Sequence, residues 1–150
     1  MTSKERVLER ERQRGRAAAQ EVQNQSATMT GTELNAVDDR IPRFSEAVKK
    51  RNMKDRPVGF VCKSTAGRVV RLIQPYDSDI YTAEPEELPA QWGFVWSTDY
   101  AKALPFIALS TSPYNVGECC TENGETFRSK MKGNVYAPSA YPSGWEKVEV

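Results

Sequence analysis

Six aromatic side chains sit where a ring can do chemistry by contact. They are Tyr76, Tyr81 and Trp92 in one stretch and Tyr136, Tyr141 and Trp145 in another. Both stretches are rich in proline and polar loop residues, with Pro85 and Pro89 in the first and Pro138 and Pro142 in the second. A flat ring offers contact area at low entropy cost, because only two side-chain torsions must be fixed. The acidic residues offer a different chemistry. Asp77, Asp79, Glu84, Glu86 and Glu87 crowd one loop. A glycosidase needs two carboxylates about 5–10 Å apart across a cleft, and Asp-Ser-Asp equally suits a solvated turn. The spacing and glycine of an EF-hand loop are absent. Histidine is missing altogether, which removes the commonest general base, the His-dependent nucleophiles and the usual zinc ligand. Cys62, Cys119 and Cys120 read as reduced, partly buried thiols. A Cys62–Cys120 bridge would need an oxidising setting. No catalytic residue, metal or cofactor is expected.

The two aromatic stretches belong to two versions of one pattern. Val58 and Gly59 match Val116 and Gly117, and Cys62 matches Cys120. Gly67 matches Gly124 and Arg71 matches Arg128, while Pro85, Pro89 and Trp92 match Pro138, Pro142 and Trp145. In each version two strand-like runs flank a short turn. Residues 64–67 form the first turn, and Asn123-Gly124 is a strong hairpin signal in the second. A proline-rich loop and a tryptophan close each unit. A unit of about 35 residues cannot build a core without its own aromatics, so Trp92 and Trp145 are core candidates as well as contact candidates. Arg71 and Arg128 are placed to stack on an aromatic or bond a loop carbonyl. Between the units, Trp96 and residues 106–109 supply a strand and linking core contacts.

The N-terminal third has a different grammar. Residues 4–24 are dominated by Glu, Arg, Ala, Leu and Gln, all good helix formers, with Ser3 as N-cap and Arg6 where a capping box wants Glu. Leu8, Gly15, Val22 and Met29 recur every seven residues, too thin a seam for a coiled coil. The pattern fits a helix that orders against a partner. Residues 23–32 read as a polar linker. Leu34, Val37 and Ile41 share one helical face up to Pro42. Phe44, Ala47 and Val48 form a second stripe that ends in basic residues suited to a helix C-terminus. These short helices read as a stalk or a cap on the first repeat. Arg6, Arg10, Arg12, Arg14 and Arg16 form a basic run, but Glu5, Glu9 and Glu11 dilute it into a solvated helical face. With 21 basic and 20 acidic residues overall, there is no global drive toward nucleic acid or membrane. No apolar run approaches the ~20 residues that span a bilayer. The opening MTSKERVLERERQRGR lacks the apolar segment of a secretory signal, so synthesis in the cytoplasm is expected.

The second unit resembles the small chitin-binding modules of bacterial chitinases and related phage structural proteins. The resemblance rests on Pro113-Tyr114, Val116-Gly117, Gly124, Thr126-Phe127-Arg128, Tyr136, Pro138, Pro142 and Gly144-Trp145. Phe127 stands where the family has tyrosine, and Tyr114 is nearest to its opening tryptophan. The stretch 141–146 is similar to C-terminal pieces of phage tail or head appendage proteins. The resemblance covers about 35 residues well and residues 58–95 more loosely. With the helical grammar and the internal repeat, the chain is expected to be α+β: a helical segment (1–56) for anchoring and oligomerisation, then two tandem antiparallel β modules (57–112 and 113–150), the second chitin-binding-like. The resemblance further implies a non-enzymatic virion protein, homo-oligomeric and specifically trimeric, held to other virion proteins through residues 1–56. Its modules would adhere to host-surface polysaccharide through Tyr136, Tyr141, Trp145, Tyr76, Tyr81 and Trp92. The alternative is a purely structural adaptor or decoration whose repeats bind other virion proteins.

Overall fold

In the computed structural model, which describes residues 2–149, an N-terminal helical region is followed by two small sheets, an α+β architecture. The first helix, α1 (Ser3–Gln25), begins one residue earlier than Ser3 would cap it. Thr2 accepts from the Glu5 amide, and the Glu5 carboxylate returns to the Thr2 amide in a complete capping box. Residues 23–32 are not a free linker. After α1 comes a 3-10 turn at Ser26–Thr28, and Thr30 with Glu33 forms a second capping box that starts α2 (Gly31–Ala36). A 3-10 turn at Asp38–Arg40 leads to α3 (Phe44–Lys50). Leu34 and Ile41 are buried with Val22, Val61 and Val69, so these helices cap the first sheet.

Strands β1 (Val61–Lys63), β2 (Val69–Leu72) and β3 (Trp92–Phe94) form the first antiparallel sheet. The second contains β4 (Leu104–Pro105), β5 (Cys119–Glu122), β6 (Glu125–Ser129) and β7 (Trp145–Val148). Their registers agree residue for residue. Cys62 lies opposite Val70 and Arg71 opposite Gly93, while Cys120 lies opposite Phe127 and Arg128 opposite Glu146. Trp92 faces Leu72, and Trp145 faces the matched Ser129. Gly59 and Gly117 both adopt positive φ, near 94° and 90°, and each donates its amide to the end of the second strand. The Asn123-Gly124 turn carries positive φ at both residues, the primed geometry that matches strand twist.

The repeat also extends upstream of where the sequence displays it. Pro105 on β4 runs parallel to β5 opposite Thr121. Arg43 forms the same parallel bridge to Lys63, the residue equivalent to Thr121. One residue later in each copy stands a phenylalanine that meets the closing tryptophan edge-on. Phe44 lies 5.8 Å from Trp92 and Phe106 lies 6.0 Å from Trp145, centroid to centroid. The outer edge of β1 is further closed by the Gln23 side chain. Its amide donates to the Val61 carbonyl at 2.7 Å and accepts from the Val61 amide at 3.0 Å. The Ser97 carbonyl serves Cys119 in the same role. The outer side of β1 and the matching side of β5 are thus covered, which protects these short strands from pairing with other chains.

A single cluster of buried residues draws on both sheets, from Phe44, Cys62 and Trp92 through Trp96 and Tyr114 to Cys120 and Trp145. Trp96 stacks on Tyr114 at 4.3 Å, and Tyr114 meets Trp145 at 5.4 Å. Residues 57–112 and 113–150 therefore share a core. All three thiols are free and buried. Burial pushes all three above the ordinary thiol range, that of Cys120 to about 12.

Candidate functional site

The six aromatic candidates divide sharply by burial. Trp92, Trp145 and Tyr76 are buried, so they present no ring face to a ligand. The Trp92 indole N–H donates to the Tyr76 hydroxyl at 3.1 Å, and Phe44 closes its other side. These three build the core. Tyr81 is 57% exposed but has no aromatic neighbour among the described residues. Only the second copy makes a platform. Tyr136 and Tyr141 are 50% and 44% exposed and stack at 5.5 Å with their planes 28° apart.

That pair is held from below. Asn134 is fully buried and donates from its side chain to the Ser129 hydroxyl at 3.2 Å and to the Gly144 carbonyl at 3.1 Å. Its side-chain oxygen accepts the Tyr136 amide at 3.1 Å. Its own backbone pairs in both directions with Tyr114, whose ring is in the core. The Trp145 indole N–H donates to the Tyr136 carbonyl at 2.8 Å. Gly144 is required beneath Tyr141: a Cβ there would stand 2.9 Å from the Tyr141 ring and 3.2 Å from both Asn134 and Met131. The loop is also strapped to its hairpin, because the Glu122 carboxylate accepts from the Ser139 amide at 2.9 Å. The first copy makes the mirror connection, with Glu84 of the loop accepting from Thr65 of the hairpin at 2.8 Å.

Two of the remaining acids of the first loop, Asp77 and Glu86, have structural partners. Asp77 accepts from Asn52 and the Asp79 amide, and these bonds hold its carboxyl below the usual range. Glu86 is ion-paired with Arg68 at 3.0 Å and accepts from the Ser64 hydroxyl. Arg71 donates to the carbonyls of Ser26 and Met29, clamping the end of α1 to the sheet. Among the described residues no three Cys, Asp or Glu side chains converge as a metal would require, and no helix is long and apolar enough to cross a membrane. Sequence reasoning missed Asn134 as the organiser of the site, since a lone asparagine in a glycine-containing loop reads as a turn residue.

No protein-family model, curated protein or solved structure matches the chain. The site is therefore read from its own geometry.

Proposed function

We propose that the chain is a non-enzymatic glycan-binding protein of a phage particle, and that Tyr136 and Tyr141 form its contact surface for host polysaccharide. One observation carries the binding part: two half-exposed tyrosines stacked side by side on a loop fixed by a buried asparagine. Such a surface is already ordered, so a sugar ring that lands on it meets little further entropy loss. The tyrosine hydroxyls at the ring edges supply polar partners for sugar hydroxyls. The virion part rests on the resemblance of residues 113–148 to chitin-binding modules and of 141–146 to appendage proteins. Several copies on one particle would turn weak single contacts into firm adhesion.

A glycan array probed with the full chain tests this. Chitin-type and cell-wall oligosaccharides are expected to be retained, and Tyr136→Ala or Tyr141→Ala should each weaken retention by about tenfold. Unchanged retention in the double variant, or none by the parent protein, would refute the platform. One feature favours the adaptor alternative. Val22 is the only buried residue of α1, and the opening turns of the helix carry Val7 and Leu8 exposed. In that reading other virion proteins dock on α1. The rest of the segment 1–56 belongs to the core and its cap.

A further inference from the structure

A cleft of about 580 Å³ opens on the opposite kind of chemistry, between the α2–α3 segment, the β1–β2 hairpin and the residues leading into β4. Its volume lies in the range of small-molecule sites, about 300–1,000 Å³. Three cations line it, Arg43, Lys63 and Lys102, against one carboxylate, Asp38. Lys102 pairs with Asp38 at 3.3 Å. Lys63 is not neutralised by a carboxylate; its ammonium donates instead to the Asp38 backbone carbonyl at 2.9 Å. Arg43 forms no ion pair among the described residues. The cleft therefore holds two cations in excess. Their placement is fixed by the fold: Arg43 and Lys63 face each other across the parallel bridge that copies the β4–β5 pairing. The second copy has Pro105 and Thr121 at these positions, so the charge pair belongs to the first copy alone. Ser45 lines the same cleft, as does Asn35, whose amide hydrogens are committed to the Gly31 and Val95 carbonyls while its oxygen takes no bond from the described residues.

We propose that this cleft binds a phosphate group, with Arg43 and Lys63 on the phosphate and Asn35 and Ser45 placed for a hydroxyl of whatever carries it. Two uncompensated cations match a group carrying about −1.5 to −2 charge at neutral pH. The guanidinium fork suits two phosphate oxygens at once, and the ammonium adds a point charge. The phosphate has two sources, the free ion and a phosphorylated sugar, and the hydroxyl partners separate them. The site is independent of the tyrosine platform.

NMR titration of the full chain at constant ionic strength tests the proposal, with inorganic phosphate, glucose 6-phosphate and glucose as probes. Saturable shifts around Arg43 and Lys63 are expected with both phosphates and none with glucose. Tighter binding of glucose 6-phosphate assigns the cleft to a sugar phosphate, and equal binding assigns it to the free ion. Arg43→Gln, on an exposed side chain that should not disturb folding, is expected to weaken binding about tenfold. The Tyr136→Ala/Tyr141→Ala double variant should leave it unchanged. Shifts that fail to saturate, or an undiminished affinity in Arg43→Gln, would overturn the proposal.

Discussion

Asn134 shows how much one small polar side chain can organise. It has no solvent exposure, and its side-chain hydrogen bonds tie the tyrosine loop to the end of β6 and to Gly144. Replacing it by alanine would strand the Tyr136 amide and remove one bond each from the Gly144 carbonyl and the Ser129 hydroxyl, which keep the Lys130 amide and the Met131 backbone as partners. Each buried polar group left without a partner costs about 1–3 kcal/mol. Asn134→Ala is therefore expected to lower unfolding free energy by about 2–4 kcal/mol in urea titrations. Tyr136→Ala and Tyr141→Ala should each stay within about 1 kcal/mol of the parent, because half of each ring is already in water. A loss in the tyrosine variants as large as in Asn134→Ala would mean that the rings serve the fold and are not presented for contact. This division of labour was half legible in the sequence. Tyrosines in proline-rich loops announce themselves, and so does a repeated closing tryptophan. Which rings turn inward was not legible, because Tyr76 and Tyr81 share a composition and differ only in what packs beneath them.

At the scale of elements, the hairpins were readable because their signals are local. Asn123-Gly124 demands positive φ at two successive residues, and Cys62 and Cys120 sit at the same register position. The parallel edges were not readable. Leu104–Pro105 is two residues long and Arg43 is a single bridge, too short for any alternation to show. The spacing from edge to hairpin also differs between the copies, since Phe44 precedes Gly59 by more residues than Phe106 precedes Gly117. Gln23, which opens the stretch read as a polar linker, closes the edge of β1 through two hydrogen bonds. The apparent linker at 23–32 is likewise a packed junction. A Cβ added to Gly31 would come within 2.3 Å of the Trp96 carbonyl oxygen, a backbone atom that cannot swing away. Gly31→Ala is thus expected to cost about 3 kcal/mol, the upper end of overpacking effects. Thr30→Ala, which removes only the α2 cap, should cost about 1 kcal/mol. Thermal denaturation of the two variants checks the order. If the cap proves the costlier loss, close approach of α2 to Trp96 does not hold the junction.

The whole molecule depends on how the two copies meet. Internal duplication alone would permit two modules that fold separately, each around its own tryptophan. The aromatic chain Phe94, Trp96, Tyr114 and Trp145 argues otherwise, since each ring touches the next and the series crosses from the first sheet to the second. Phe106 widens the second copy's end of this series, stacking on Tyr114 at 5.4 Å while meeting Trp145 edge-on. Sharing relieves a problem that neither copy could solve alone, because a unit of this size buries too small a fraction of its surface for independent stability. Trp145→Ala should then destabilise by about 3–5 kcal/mol and do so everywhere at once. In hydrogen exchange, amides of β1–β3 are expected to lose protection together with those of β5–β7, although Trp145 lies in the second sheet. The exposed front of α1 should exchange quickly in both proteins, since its residues 3–8 lie in solvent. Protection that survives in the first sheet while the second melts would show two foldons in place of one. The tyrosine platform would then ride on a module that can open by itself, and its rigidity could not be inherited from the shared core.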